Sequence, residues 1–455
     1  MTFDRRSVLG AGLGLGAAAT VVHAADKRPV TSPGTPPTAA SDLAPRLVPN
    51  DVQDQTAALQ AIIDAAANAD TPVILPSGTF IVSDLKLRMG TRLIGSARAT
   101  VLAYGGGDTF VTADNADGLA IKGIVFDCAY KTFDRTRADG AITISRSKDL
   151  RLSELEIRNS AGNGLSLFAC SGYINDVTIT GALDAGLKSL DAFGLDIKGN
   201  TISDCGNNGI LVWRTAPGED GSIVSGNRIS KIRSASGGTG EYGNGINVFR
   251  AGSVLVSGNR ISDCAYTAVR GNSASNIQII ANSCERLGEV ALYAEFGFQG
   301  AIIANNVVDT AATGISVTNF NEGGRLAVIQ GNLIRNLFRR EQEPQDKRGE
   351  GIGVEADAVV SGNTIENAPT VGIQIGWGSF MRDVAATGNV IRHARVGISV
   401  TGAGDAGKCL IANNLISNAQ DGAIREMDFG KMTGPDLIDR QGASNRVQLA
   451  GNIAV

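Results

Sequence analysis

Ser225-Gly226-Asn227-Arg228-Ile229-Ser230 and Ser257-Gly258-Asn259-Arg260-Ile261-Ser262 are the same six letters in the same order. Lys198-Gly199-Asn200-Thr201-Ile202-Ser203 stands one interval before the first of them. Looser copies centre on Asn282, Asn306, Asn332, Asn363, Asn389 and Asn414, with every step in the twenties to low thirties. A period of that size, carried by short β-prone runs, describes a solenoid. Each turn of chain is too thin to bury its own apolar residues and does so only by stacking on its neighbours.

The spacing inside the repeat is nearly fixed. The step from the Ile slot of each phrase to the next Gly-Ile type of pair hardly varies, as in Ile202–Ile210, Ile261–Val269, Val308–Ile315 and Ile391–Ile398. Two connections break the rule, each more than double that step. Ile229 to Ile246 carries a Gly-rich insertion over 233–244, and Ile334 to Ile352 carries a charged insertion over 338–350. Insertions in a solenoid gather on one side and often frame the binding face. Alternation in Gly209-Ile210-Leu211-Val212 points Ile and Val inward. The recurrent Asn is expected at a corner, in left-handed backbone, with its amide bonded to the next Asn along the axis. The Gly/Ala-apolar strand starts from Ala141-Ile142 to Ala423-Ile424 predict about 12 coils over 140–425, an axis on the order of 55–65 Å.

Composition agrees. Gly is 58 of 455 residues, while apolar residues still make up 43%, which fits many tight corners rather than disorder. Aromatics are only 5%. Net charge is −4, with no basic run of five, so no nucleic-acid footprint exists. None of the six Cys forms C-x-x-C, and no His/Cys cluster suggests a metal, so neither metal nor cofactor is expected. Cys205 and Cys264 take the same place two repeats apart, about 9–10 Å at strand spacing, beyond the reach of a disulfide. The thiols read as buried filler.

Residues 1–24 read as an export signal. Arg5 and Arg6 precede a mild apolar stretch from Gly10 to Val22, and Val22-His23-Ala24 offers a cleavage site. The stretch is too short to span a bilayer, and no other segment qualifies. The paired arginines resemble a twin-arginine (Tat) signal. That implies the Tat export machinery as a partner, through Arg5 and Arg6, and a periplasmic or secreted location. Residues 25–44, with Pro29, Pro33, Pro36 and Pro37, form a Pro-rich linker. Residues 45–455 follow as one domain. Over 54–67, Leu59, Ile62, Ile63 and Ala66 fall at helical spacing behind Asp54. A solenoid end needs a cap, and this helix would serve.

Gln55-Thr56-Ala57-Ala58-Leu59-Gln60-Ala61-Ile62-Ile63-Asp64-Ala65-Ala66, followed by Val73-Ile74-Leu75-Pro76-Ser77-Gly78-Thr79-Phe80, resembles the N-terminal cap of pectin-lyase-like right-handed parallel β-helix proteins. The Gly-Asn-x-Ile phrases resemble their β-helix repeats. With its leader, the chain resembles a family of twin-arginine-translocated repeat proteins. The expected fold is thus all-β, a right-handed parallel β-helix with an N-terminal helical cap. The resemblance is specific for fold and weak for activity, since such folds host lyases, hydrolases, epimerases and non-catalytic members.

In β-helix enzymes of this kind the outer face of one long sheet holds the polysaccharide, which is what the resemblance implies here. Counting two on from each strand start gives Lys188, Leu211, Asn247, Arg270, Tyr293, Ser316, Gly353, Gln374 and Arg425. Counting two further gives Trp213, Phe249, Asn272, Glu295, Thr318 and Glu355, with Arg214, Arg250 and Trp377 just beyond. Trp213, Phe249 and Trp377 could stack on sugars, and Arg214, Arg250 and Asn272 could bind polar groups. As catalytic candidates, Arg270 would neutralise a uronate, Lys188 or Tyr293 would act as base, and Glu295 or Glu355 as acid/base partner. That set favours lyase-type β-elimination over hydrolysis, which lacks a recognisable carboxylate pair. A solvated face with a few exposed rings is the plainer reading. Gly-His-Gly beside paired Asp, Asp-Pro-His and calcium-loop signatures are absent. Two functions therefore stand: an exported protein that binds a polysaccharide and, if it is an enzyme, cleaves it by elimination, and a non-catalytic envelope or surface protein that holds a glycan or another protein.

Overall fold

The computed structural model describes residues 46–238, 240–341, 349–439 and 445–455. The export signal with Arg5 and Arg6, the linker, and most of the 338–350 insertion lie outside the described residues.

Each turn of the chain lays down three short parallel strands. The first strand of each turn joins a 15-stranded sheet, running from Val73–Ile74 to Val447–Ala450. The other two form ladders that merge into one 28-stranded sheet. One ladder follows the recurrent Asn, and the other follows the Gly/Ala starts. The solenoid has about 14 turns. Twelve are those counted from Ala141. The strands Leu85–Leu87 and Val111–Asp114 add two more below them, where the sequence lacks the Gly-Asn phrase.

Register explains the repeat. Ile179, Ile202, Ile229, Ile261, Cys284, Val308, Ile334, Ile365, Ile391 and Ile416 pair in succession, and each is at most 1% exposed. Burying one such side chain stabilises by about 1.5–3 kcal/mol, repeated at every rung. Cys205 and Cys264 flank Ile232 in the same interior, and all six cysteines are free and buried.

The Asn ladder bonds amide to amide as expected. Asn200 Nδ2 donates to Asn227 Oδ1 (2.9 Å), and the links continue through Asn259, Asn282, Asn306, Asn332, Asn363, Asn389 and Asn414 to Asn452. The expected left-handed backbone is displaced by one position. It belongs to the residue before each Asn, such as Gly199, Gly226 and Gly258 at φ 64–68° or Asn305 and Asn413. The physical reason is that the Asn must aim its side chain inward, at most 1% exposed from Asn200 to Asn414, so the preceding residue takes the turn.

The cap helix spans Thr56–Asn68 and starts slightly later than the apolar spacing suggested. Asp54 accepts the Thr56 amide at 2.7 Å, and Leu59 and Ile63 are fully buried against the first coils. At the other end Lys431–Asp436 runs antiparallel to Ile424–Asp428. Among the described residues no helix is long and apolar enough to cross a membrane.

Candidate functional site

The Gly/Ala ladder positions the candidate side chains. Lys188, Leu211, Asn247, Arg270, Tyr293, Ser316, Gly353 and Gln374 pair in one unbroken row, continued by Ser399 and Arg425. Trp213, Phe249, Asn272 and Glu295 form a second row, two positions on.

The centre of this face is a charge network. Arg270 Nε donates to Glu295 Oε1 at 2.6 Å, and Asn272 Nδ2 donates to the same oxygen at 3.0 Å. The Glu295 side chain is only 3% exposed, so it is a buried anion rather than a presented one. Arg270 Nη1 lies 4.0 Å from Glu289 Oε2, whose other oxygen is 3.2 Å from Arg340 Nη1. The Arg270 guanidinium also sits 5.3 Å from the Tyr293 ring centroid, and that of Arg340 sits 4.9 Å from Tyr266. Burial, then the Glu295 charge, pushes the Tyr293 hydroxyl up to about 12. Burial alone would lower the Arg270 pKa, but Glu295 and Glu289 outweigh it and hold the guanidinium charged.

Two cavities open on either side of this network. One, of about 210 Å³, is lined by Glu289, Glu350, Glu355, Tyr293, Gln374 and Trp377 among others. The second, of about 390 Å³, has Trp213, Phe249 and Phe296 as its rings, with Asn247, Asn272 and Arg270. Both insertions reach the site. Gly240 and Glu241 of the first line the aromatic cavity, and Arg340 of the second pairs with Glu289.

The sequence-derived candidates do not all converge. Arg270, Tyr293 and Glu295 do. Lys188 stands four rungs from Tyr293, about 19 Å at strand spacing, and its Nζ is bound to Asp139 Oδ2 at 2.6 Å. Burial would raise the Asp139 pKa, but the Lys188 bond and charge, with Arg135, bring it below the ordinary value. Glu355 lines the smaller cavity, and its Oε2 accepts the Phe320 amide at 2.7 Å. Trp213 packs edge-on to Phe249 (6.0 Å) and donates Nε1 to Asn247 Oδ1 (3.2 Å). Arg250 stacks on Phe249 at 4.6 Å and donates to the Thr215 carbonyl. Arg214 turns to the Ala192 carbonyl (3.3 Å) and does not line either cavity. Trp377 packs edge-on to Phe429 (5.5 Å).

Counting from strand starts missed Glu289 and Glu350. They sit at or before the corner, not two or four positions after it. Glu350 falls in register through Thr313 with Val290, just after Glu289. A Glu in the slot that holds Asn208 and Asn244 in earlier turns was the available signal. Among the described residues no group of three or more His, Cys, Asp or Glu is arranged to hold a metal.

The chain matches the family described as right-handed β-helix region over residues 218–389. It matches the rhamnogalacturonase A/epimerase, pectate-lyase-like family over residues 47–266. Together these support a right-handed parallel β-helix of the pectin-lyase-like superfamily. The second match ends before Arg270, so it covers Trp213 and Phe249 but none of Glu289, Glu350 and Glu355. No curated protein matches the chain by sequence. Among solved structures, the N-terminal fragment of bacteriophage phi29 gene product 12 is similar at 16% identity and TM-score 0.51, over 82% of this chain. The chain spans 66% of that fragment, just under two thirds. The catalytic unit of an α-1,3-glucanase from Streptomyces thermodiastaticus aligns at 15% identity and TM-score 0.45, over 89% of this chain and 67% of that one. The surface adhesin PfbA of Streptococcus pneumoniae aligns at 15% identity and TM-score 0.43, over 82% and 88%. At these identities the likeness is one of fold.

Proposed function

We propose that this protein binds a polysaccharide along the outer face of the Gly/Ala ladder and hydrolyses it in the glutamate-lined cavity. The observation that carries the reading is a cavity holding Glu289, Glu350 and Glu355, with aromatic rings on the same face at both ends, Trp213 and Phe249 on one side and Trp377 on the other. Rings stack on sugar faces, and carboxyl groups supply the acid and base of glycoside hydrolysis. Glu289 and Glu350 are the pair, about two rungs or 10 Å apart at the backbone. The match to a rhamnogalacturonase/epimerase-like family agrees with polysaccharide processing.

Elimination has weaker support than the residue types alone suggested. Arg270, the group meant for a uronate, is committed to Glu295. Tyr293, with its pKa pushed up to about 12, is a poor base near neutrality. A second reading, glycan binding without cleavage, is favoured by one observation. Glu289, Glu295 and Glu355 each already hold protein partners. The paired arginines of the leader support export by the twin-arginine route and a periplasmic or secreted location under either reading.

The test is incubation of the mature protein with a polysaccharide panel, following reducing ends and the ultraviolet absorbance of unsaturated products. Reducing ends without absorbance, lost in Glu289→Gln and Glu350→Gln, support hydrolysis. Absorbance that rises with reducing ends restores elimination. Silence on both with glycan binding retained leaves the binding reading.

A further inference from the structure

Whether the bound glycan is acidic or uncharged is decided by the aromatic cavity. Trp213, Phe249 and Phe296 give it three rings, and Asn247 and Asn272 add amides between them. Among its described lining residues Arg270 is the only cation, and Glu241 adds an anion. Arg270 is held on two sides. Its Nε is spent on Glu295 at 2.6 Å. Its Nη1 is buried, makes no hydrogen bond, and lies so close to Gly240 that a Cβ there would overlap it. A uronate reaching the remaining Nη donors would meet a guanidinium whose charge Glu295 already balances, and to take Nε as well it would have to pull the group from Glu295. That would strand a carboxylate whose side chain is 3% exposed, and a buried charge stripped of its partner is strongly unfavourable. The wider network is balanced in itself, since Arg270 and Arg340 face Glu295 and Glu289. The network therefore presents no net positive charge to a carboxylate ligand, and Arg250, which stacks on the Phe249 ring and donates to the Thr215 carbonyl, does not line the cavity.

Resting on the polysaccharide reading, we infer that the aromatic cavity takes an uncharged sugar, making the substrate class a neutral glycan rather than a uronate polymer. The rings cover the apolar faces of the sugar. The amide nitrogen of Asn247, whose oxygen already accepts Trp213 Nε1, donates to its hydroxyls. Arg270 acts as a positioning residue that holds Glu295 and the floor of the cavity.

The chain has only two tryptophans, one at each cavity. Trp377→Phe leaves Trp213 as the sole reporter, and Trp213→Phe leaves Trp377. Neutral gluco-, manno- and xylo-oligosaccharides and oligogalacturonate are titrated into both proteins, and emission is followed. The expected result is a saturable change of Trp213 emission with at least one neutral oligosaccharide and none with oligogalacturonate. Phe249→Leu in the Trp213-only protein should weaken that binding roughly tenfold. Saturation of the Trp213 signal by oligogalacturonate overturns the neutral class and leaves the glycan reading standing. A response confined to Trp377, or Phe249→Leu binding unchanged, overturns the cavity assignment. No response from either tryptophan, with no retention on glycan affinity gels, overturns both this inference and the polysaccharide reading.

Discussion

Arg270 Nε and Glu295 Oε1 meet at 2.6 Å across one rung of the Gly/Ala ladder, and both side chains are withdrawn from solvent, 12% and 3% exposed. A pair so placed is costly to break and cheap to replace whole. Removing one partner leaves a buried charge, at about 3–5 kcal/mol. Arg270→Ala should therefore destabilise the fold by about 3 kcal/mol or more, as read in urea denaturation. Arg270→Met with Glu295→Met should recover most of the loss. Additive losses in the double variant would mean that the two residues act independently.

The Asn ladder makes a sharper stability prediction. Asn282 donates to Asn306 Oδ1 and to the Val256 carbonyl, and its own oxygen accepts both the amide nitrogen and Nδ2 of Asn259. All four hydrogen-bonding positions of a buried amide are thus filled. Asn282→Ala takes a partner from groups on both neighbouring rungs and should cost about 3 kcal/mol or more. Asn321→Ala, at an exposed position, should stay within about 0.5 kcal/mol. Equal midpoints for the two variants would remove the ladder from the list of stabilising features.

Much of this was legible in the letters, for a geometric reason. A solenoid converts sequence period directly into rung number, so residues in equal slots stack. The outward row from Lys188 to Arg425 could be counted without coordinates, and register reproduces it. Diagonal relationships were not legible. Nothing in the count says that Arg340, from a charged insertion, reaches Glu289, or that Arg270 turns to Glu295 instead of outward. Long side chains choose partners across rungs and corners, and slot number does not encode that choice. The same limit misplaced the left-handed residue, because the slot showed which phrase turned but not which of its residues carried the turn.

The six thiols should behave as core atoms. Burial pushes Cys128, Cys205, Cys284 and Cys409 up to about 12, and raises Cys170 and Cys264 as well. The thiolate is the reactive form. A disulfide-exchange reagent near pH 8 should find no thiol in the folded protein and all six in denaturant. Fewer than six in denaturant without reductant would reveal a disulfide, and rapid reaction of the folded protein would contradict the burial.

Acid stability should depend on Asp357. Its carboxylate is bound by Arg382 at 2.6 Å and Arg325 at 2.7 Å. The Arg382 hydrogen bond is the largest cause of a pKa held at about 2, against the opposing effect of desolvation. The folded pKa lies below the unfolded value of about 3.9. The pair therefore contributes fully above that value and is lost as pH falls toward about 2. Melting temperatures of the protein and of Asp357→Asn should differ most near pH 6, draw together as pH falls below about 4, and converge only toward about pH 2. A constant gap across that range would mean that packing, not charge, sets the effect.

Gly240 links the first insertion to the site. Its φ of +134° is a conformation that L side chains rarely adopt, and an added Cβ would overlap Arg270 Nη1. The guanidinium cannot yield freely, because Nε is tied to Glu295. In Gly240→Ala the insertion must therefore lift or the ion pair must loosen. The fold should lose about 1–3 kcal/mol, the usual cost of overpacking. The effect on binding should be local. Trp213 emission should report a changed aromatic cavity, while Trp377, which lines the glutamate cavity beyond the Arg270–Glu295 pair, should keep its native signal. If both tryptophans changed together, the insertion would be coupled to the whole face, and the two cavities would have to be treated as one site.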